Sequence, residues 1–303
     1  MERNQVPGAK VPIGAETPLS TGEPASGSGL PAGAASAQGP DRVVFSVRGL
    51  SFGYPGQHKG ERKQIFDALD LDLHEGKVTK LIGANGWGKS TLFNLLTTNL
   101  EPDFGQILLR GGNVADLRLQ DFARLVAIVH QNNVAPPDLT VERLVRYGRV
   151  PFSGPFSPSD RDKDDAWVEW ALATTHLTDL ADRPIGALSG GQRQRAWLAM
   201  SLAQGSDVLL LDEPTTFLDV RYQLQLLRLV RQLNRQFGIT VIMVLHDVNQ
   251  AMSYSDEIVA LADGRIVAQG APERVVTPEL MRHVYGVSLD VAHVNGKPFV
   301  LTV

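Results

Sequence analysis

A glycine-rich stretch that ends in a lysine and two hydroxyl residues is the part of this chain best suited to bind phosphate. It fits the pattern G-x-x-x-x-G-K-[ST] and consists of Gly83, Ala84, Asn85, Gly86, Trp87, Gly88, Lys89, Ser90 and Thr91. Residues 78–82 predict a buried strand before it, and residues 91–96 predict a helix after it. Backbone N–H groups at the helix N-terminus would therefore point at a phosphate. Lys89 would lie along the β- and γ-phosphates of a nucleotide, and the Ser90 hydroxyl would bind Mg²⁺.

Two carboxylates follow a second predicted strand. Residues 208–211 are four consecutive aliphatic residues, which is typical of a strand buried on both faces of a parallel sheet. Asp212 would then emerge at the carboxyl end of that strand, where α/β proteins bind their ligands. We expect Asp212 to hold Mg²⁺ and Glu213 to polarise a water molecule for attack on the γ-phosphate.

Polar residues also follow two other apolar segments. Gln131 follows residues 125–130, and His246 follows residues 240–245. At the carboxyl end of a strand Gln131 is placed to reach a ligand, and a surface glutamine is the alternative. His246 could donate a hydrogen bond to the γ-phosphate and orient the attacking water. A structural histidine is the alternative there, and the position at a strand end disfavours it.

A second candidate anion site precedes a predicted helix over residues 192–203. It consists of Ser189, Gly190, Gly191 and Gln192. The serine hydroxyl and the glycine N–H groups would lie at the helix N-terminus, where the peptide dipoles favour an anion.

An antiparallel β layer is predicted before the phosphate loop, with strands over residues 43–47, 50–54 and 64–73. Tyr54 lies at the exposed end of this layer, where the local sequence favours a packed aromatic. Later segments predict three helices, over residues 141–147, 160–175 and 192–203. The intervening residues 148–156 contain too many Pro and Gly for a regular element, and their aromatic residues predict a contact surface.

The composition narrows the class of protein. The chain of 303 residues has a formal net charge of −4, which argues against a non-specific nucleic-acid binder, and it contains no cysteine, which excludes disulfides. Residues 1–40 are rich in Gly, Pro, Ala and Ser and predict a disordered tail. Because the sequence has neither a signal peptide nor an apolar run of about 18–20 residues, we expect any membrane association to come through a partner.

The motifs occur in the order and at the spacing of the ATP-binding-cassette (ABC) ATPases, which the chain resembles from about residue 43 onwards. They are residues 83–91 (Walker A), Gln131 (Q-loop), 188–192 (signature), 209–213 (Walker B), Leu218 and Asp219 (D-loop) and His246 (switch histidine). The resemblance implies an α/β P-loop NTPase core of the RecA-like type, with an antiparallel β subdomain and an α-helical subdomain. We expect the cassette to cover residues 41–303, with helices at about 134–204 and a β hairpin at about 287–303.

The resemblance also implies how such a site works. Two cassettes pair head to tail and enclose two ATP molecules, each between the Walker motifs of one subunit and the signature loop and D-loop of the other. Tyr54 matches the aromatic residue that stacks on adenine, which revises the interpretation of a packed aromatic. Glu213 matches the catalytic base. Gln131 matches the residue that reaches Mg²⁺ and the attacking water and links the site to a membrane partner.

A narrower resemblance concerns the transported solute. Residues 145–152, 212–219 and 244–251 are similar to segments of the ATPases that serve iron–siderophore, haem and cobalamin importers. The resemblance implies the ATPase subunit of a ferric-siderophore importer, peripheral at the cytoplasmic face of the membrane. Its partners would be a second copy of the chain, permease subunits and, indirectly, a substrate-binding protein. Haem or cobalamin import is the alternative, and a soluble ABC ATPase is a more distant one.

Two residues depart from the family pattern. The family usually has a small residue in place of Trp87 and a proline in place of Ala84. The phosphate-loop pattern leaves both positions free, so nucleotide binding need not suffer. The Trp87 indole would pack either on a partner subunit or on a neighbouring loop.

Overall fold

The computed structural model describes residues 42–56, 61–153, 161–245, 247–294 and 297–301. The predicted tail, residues 1–40, lies outside the described residues, as do His246 and the Asn295–Gly296 turn of the predicted hairpin. The strands are β1 (Val43–Pro55), β2 (Arg62–His74), β3 (Val78–Ile82), β4 (Phe104–Leu109), β5 (Gly112–Asn113), β6 (Val126–Val129), β7 (Val208–Asp212), β8 (Thr240–Val244), β9 (Glu257–Ala262), β10 (Arg265–Gly270), β11 (Asp290–Val294) and β12 (Lys297–Leu301).

The helices follow the pattern of a mixed α/β protein. They are α1 (Lys89–Leu96), α2 (Leu119–Leu125), α3 (Val141–Arg146), α4 (Arg161–Thr174), α5 (Gly190–Ala203), α6 (Val220–Phe237), α7 (Val248–Tyr254), α8 (Pro272–Val275) and α9 (Pro278–Tyr285). In the described part of the chain, no helix combines the length and the apolar character that a membrane span requires. The predicted helices over 141–147, 160–175 and 192–203 correspond to α3, α4 and α5.

A six-stranded sheet with the order β10-β9-β3-β8-β7-β6 forms the centre of the molecule. The strands β9, β3, β8, β7 and β6 run parallel, and β10 is antiparallel to β9. The strand β7 is buried on both faces because Leu209 and Leu211 belong to one apolar cluster and Val208 and Leu210 to another. This arrangement matches the aliphatic run read from the sequence.

The antiparallel layer is a four-stranded sheet with the order β2-β1-β4-β5. Two separate strands were expected over residues 43–47 and 50–54, and this prediction is wrong, because β1 is continuous across both. The register against β2 shifts between Val47 and Leu50, and the Gly49 N–H at this irregularity donates to Asp70 Oδ1 over 2.7 Å. A β-bulge therefore replaces the expected break, since its extra residue finds a side-chain partner.

The aromatic loop was also predicted wrongly. Residues Tyr147–Phe152 form a 3₁₀ helix, and the remainder of the predicted loop, from residue 154 on, lies outside the described residues. Gly148 permits this helix to pack closely, because a Cβ there would lie 2.1 Å from the Met200 carbonyl oxygen of α5. The Arg149 guanidinium lies 4.0 Å from the centre of the Phe152 ring, so this aromatic residue is held against its own subdomain.

Candidate active site

The phosphate-loop residues open into a cavity of about 230 Å³ at the carboxyl end of β3. It brings together eight of the predicted site residues and is lined by Tyr54, Lys63, Ile65, Asn85, Gly86, Gly88, Lys89, Ser90, Thr91 and Glu213. The donors of α1 and the Ser90 hydroxyl thus share one recess with a carboxylate that sits beyond the end of β7. A recess of this composition suits a polyphosphate bound with a cation.

Lys89 is the buried positive charge of this recess. Its ammonium group donates to the Gly83 carbonyl over 2.6 Å and to the Ala84 carbonyl over 3.0 Å, so the loop itself holds the side chain in place. Burial lowers the pKa of Lys89, and the negative charge of Glu213 offsets part of that effect. A phosphate oxygen could replace a carbonyl as acceptor and would supply the full negative charge that the carbonyls lack.

Gly88 allows the loop to turn into α1. Its φ of +95° lies in the region that favours glycine. A Cβ there would also lie 2.6 Å from Cζ of Phe66, which belongs to the antiparallel layer. The glycine therefore lets two layers of the protein meet at the phosphate loop.

Glu213 and Gln131 are joined by a direct hydrogen bond. The Gln131 side-chain amide donates to Glu213 Oε2 over 2.7 Å, and the Thr216 hydroxyl lies 3.3 Å from the same oxygen. The two residues follow the neighbouring strands β6 and β7, which pair in parallel, so their side chains meet at the same edge of the sheet. The structure thus brings together two predicted residues that are distant in sequence.

Asp212 is the last residue of β7, and it pairs with Val244 of β8. This position places it at the carboxyl edge of the sheet, next to Glu213, as the sequence pattern predicts. Oxygen ligands from Asp212, Ser90 and Gln131 are of the type that Mg²⁺ prefers in proteins. The donor set therefore fits a magnesium ion.

Tyr54 lines the mouth of the cavity and is 38% exposed. Its ring packs edge-on against Phe52, with the ring centres 5.0 Å apart, and its hydroxyl lies 3.3 Å from the Thr91 hydroxyl. One edge of the ring is thus fixed by contacts within the chain while part of the side chain remains accessible. A ring in this position can stack on a flat heterocycle.

The signature residues lie apart from the cavity. Ser189 caps α5 by accepting from the Gln192 N–H over 3.3 Å, and the Gln192 side chain accepts from the Ser189 N–H over 3.0 Å. This reciprocal arrangement is a capping box. Gly190 and Gly191 form the first turn of the helix behind it. In the part of the chain that the structure describes, the cavity has no lining residue from this group.

Asp219 caps a different helix. Its Oδ1 accepts from the Tyr222 N–H over 3.1 Å at the start of α6. The predicted switch histidine, His246, lies outside the described residues, but Asp247 beside it caps α7 by accepting from the Gln250 N–H over 2.9 Å. These two caps fix the start of α6, beside the predicted D-loop, and the start of α7.

Trp87 packs within its own chain. The indole contacts an apolar cluster that includes Ile82, Met252 and Ile258, together with residues of α9. Of the two alternatives left open by the sequence, the structure favours the neighbouring elements over a partner subunit. The bulky side chain does not line the phosphate cavity.

The structure adds two residues to the cavity that the sequence did not reveal. Lys63 and Ile65 lie on β2 and reach the cavity beside Tyr54. They belong to no motif, and only the pairing of β2 with β1, in which Lys63 lies opposite Tyr54, places them there. A prediction of the strand register could have found them, because Tyr54 was already a candidate.

Comparisons with known proteins agree with this geometry. A model of the ABC transporter family matches residues 66–216. The petrobactin import ATP-binding protein FpuD of Bacillus anthracis is 45% identical over 228 residues, which cover 75% of this chain and 83% of that protein. The ferric enterobactin transport ATP-binding protein FepC of Escherichia coli (strain K12) is 42% identical over 239 residues, which cover 78% and 88%.

A solved structure is also similar. The ATP-binding cassette MJ0796, determined as a dimer in a post-hydrolysis state with ADP and Pi, matches with a TM-score of 0.64 and 25% identity, over 75% of this chain and 98% of that one. The fold class predicted from the sequence is confirmed. This chain belongs to the ABC transporter family, and within it to the ATP-binding subunits that hydrolyse ATP.

Proposed function

We propose that this chain is the ATP-hydrolysing subunit of an importer of ferric siderophores. The observation that carries the proposal is the single recess in which Lys89, Ser90 and Glu213 converge. The names of the petrobactin and enterobactin relatives support the choice of solute. The cassette would cover residues 41–303, with residues 1–40 as a tail, a helical subdomain at about 134–204 and a C-terminal hairpin at about 287–303.

Different residues of the recess would bind different parts of ATP. The loop residues 83–91 cradle the phosphates with their N–H groups, and Lys89 lies along the β- and γ-phosphates. Tyr54 stacks on the adenine ring. Ser90, Asp212 and Gln131 would provide oxygen ligands for Mg²⁺. The bound ion would neutralise charge on the phosphates.

Glu213 acts on the attacking water. Its carboxylate accepts from the amide of Gln131, which orients the group that would take the water proton. We expect His246, which follows the neighbouring parallel strand β8 in sequence, to hold the γ-phosphate. A Glu213→Gln variant should bind ATP and accumulate as a closed dimer, measured by size-exclusion chromatography with Mg-ATP. Turnover at the wild-type rate would show that another residue is the base.

A second copy of the chain completes the site. Ser189, Gly190, Gly191 and Gln192 lie outside the recess, so they would contact the ATP bound by the partner. Asp219 and the exposed Phe217 would lie at the same interface, and the dimeric cassette MJ0796 shows that cassettes of this fold pair. Closure of the two subunits around ATP would then couple binding to movement.

The permease would dock beside the helical subdomain. Residues 131–138 connect Glu213, through Gln131, to the surface that carries Tyr147 and Val150, both more than half exposed. A cytoplasmic helix of the permease would dock between residues 131–138 and 147–153. The chain would therefore be peripheral, at the cytoplasmic face of the membrane, and a substrate-binding protein would select the solute outside.

Uptake by cells that lack the gene tests the proposal. The cells would be complemented with the wild type or with Lys89→Ala and supplied with labelled ferric siderophores, haem or cobalamin. We expect one ferric siderophore to enter only in cells that carry the wild type. Restored uptake of haem or cobalamin instead would replace the proposed solute. Normal uptake of every solute without the gene, and no co-purifying permease, would refute the importer role.

A further inference from the structure

The segment between β7 and α6 contains two residues with a strained backbone. We call residues 213–218 the Glu213 turn. Glu213 has a φ of +48° and Phe217 a φ of +64°, and both values are unfavourable for residues with a side chain. The Phe217 side chain is 89% exposed, so packing does not fix its backbone. Such a conformation persists only where its surroundings enforce it.

Gln223, the fourth residue of α6, holds this conformation in place through its side chain. Its side-chain amide donates to the Thr215 carbonyl over 3.2 Å and to the Leu218 carbonyl over 3.0 Å. These two carbonyls stand on either side of Phe217. Both N–H groups of one amide therefore bridge the strained residue and fix the path of the Glu213 turn back to the catalytic carboxylate.

Gln250 determines which way the Gln223 amide faces. Its own amide donates to Gln223 Oε1 over 2.7 Å, so the nitrogen of Gln223 must face the carbonyls of the turn. Gln250 lies in the first turn of α7, and its backbone N–H is held by Asp247, the residue next to the predicted switch histidine. The two glutamines thus connect the start of α7 with the Glu213 turn.

We propose that Gln223 and Gln250 are positioning residues that hold the Glu213 turn and tie it to α7. The proposal rests on the ATPase role argued above. Neither glutamine lines the phosphate cavity. Their effect would act through Glu213 and through residues 217–219, which a second subunit would contact. The bridge should therefore influence turnover and leave nucleotide affinity unchanged.

Isosteric substitutions test the bridge. Gln223→Met and Gln250→Met keep the length of the side chain and remove the amide. Gln250→Met removes one hydrogen bond and should lower kcat for ATP about fivefold, the rate equivalent of one neutral hydrogen bond. Gln223→Met removes three and should lower kcat further. Both should change KM less than about twofold. The double variant should be no slower than Gln223→Met alone, because Gln250 acts through Gln223.

A change of charge separates positioning from packing. Gln223→Glu has the same shape, but its carboxylate cannot donate and would repel the carbonyls of Thr215 and Leu218. It should lower kcat further than Gln223→Met does, with a melting temperature close to that of the wild type. Equal and normal kcat values for both variants would show that the side chain at this position only fills space.

Gln225→Met is the matched control. Gln225 lies on the same helix, is partly buried and makes no side-chain hydrogen bond within the described ranges. Its kcat should equal that of the wild type. Unchanged kcat in Gln223→Met and Gln250→Met, while the wild type turns over, would overturn the bridge and leave the proposed ATPase role standing. Absence of ATP hydrolysis by the wild type with Mg-ATP would instead refute that role.

Discussion

Two buried lysines lie on either side of the phosphate-loop bend, and they are held in opposite ways. Lys89 is 5% exposed, opens onto the cavity and bonds to two carbonyls of a loop that a ligand can approach. Lys80 is fully buried in β3, and its ammonium group donates to the Gln250 carbonyl over 3.0 Å and lies 5.5 Å from the centre of the Tyr254 ring. Burial lowers the pKa of both groups.

The difference between the two lysines lies in what could replace their partners. At Lys89 an anion can enter and supply the missing negative charge. Ligand binding there offsets the free-energy cost of burying the ammonium group. At Lys80 the ammonium group is enclosed by the chain, and the carboxylates of Asp247 and Asp256 act on it against the like charge of Arg231. The same residue type is therefore a binding group in one place and a destabilising one in the other.

Lys89→Met should have the largest effect. It removes the only cation on the phosphate loop, and we expect kcat/KM for Mg-ATP to fall about a thousandfold, the scale of losing a preorganised charge at a developing negative charge. The melting temperature without nucleotide should stay near that of the wild type, because burial already penalises the charge. A variant that lost its stability as well as its activity would make Lys89 a structural residue.

Arg149 is a third buried cation, and we expect its substitution to lower the stability of the protein, unlike that of Lys89. Arg149 donates to Asp164 Oδ1 over 2.7 Å and to the carbonyls of Ala203 and Gln204 over 2.9 and 3.2 Å. Arg149→Met would leave the Asp164 carboxylate buried without its partner, and the free energy of unfolding should fall by about 3 kcal/mol. Unfolding in urea measures this difference in the free energy of unfolding between the variant and the wild type.

The double variant Arg149→Met with Asp164→Leu is the control for that experiment. It removes both charges and should recover much of the loss, since an apolar pair can replace a buried ion pair. If the single variant were as stable as the wild type, the ion pair would contribute nothing to the helical subdomain.

The contrast between the lysines also shows what the sequence can predict. The motif around Lys89 carries its own geometry, since the glycines, the lysine and the helix start lie within nine consecutive positions, residues 83–91. The aliphatic run before Asp212 likewise predicted its strand, because burial on both faces leaves no alternation. The hydrogen bond between Gln131 and Glu213 followed from neither segment alone, but each was expected at a strand end.

Residues whose role depends on distant partners were not predictable in this way. Lys80 lies in a predicted strand, but nothing in its neighbourhood shows that the Gln250 carbonyl will meet it. The helix α6 was not assigned from the sequence, although Leu226, Leu229, Val230 and Leu233 recur at helical spacing on its buried face. Without that helix Gln223 could not be placed beside the Glu213 turn.

Lys80→Met should raise stability. The methionine keeps most of the volume and removes a charge that burial disfavours, so we expect the free energy of unfolding at pH 7 to increase by about 2 kcal/mol, as when a buried charge is replaced by a well-packed apolar group. ATP affinity, measured by calorimetry, should change less than about twofold, in contrast with Lys89→Met. A less stable variant would show that the bond to the Gln250 carbonyl outweighs the cost of burying the charge.

The smallest effect, taken per pH unit, is the pH dependence that Lys80 gives to stability. Burial lowers the pKa of Lys80 from 10.5 to about 7 in the folded protein. Between these values the unfolded chain binds the proton more tightly than the folded one, so stability should rise with pH by up to about 1.4 kcal/mol per pH unit. Below pH 7 the penalty is complete and this contribution no longer changes.

The difference in unfolding free energy between wild type and Lys80→Met isolates this contribution. Measured in urea between pH 7 and 9.5, it should shrink as the pH rises, because the neutral lysine costs less to bury. This range stops short of the ionisation of Tyr285, whose pKa burial raises to about 12. A difference that stays constant across the range would mean that Lys80 keeps its proton, held by the Gln250 carbonyl and the Tyr254 ring, and that the two lysines are more alike than their surroundings indicate.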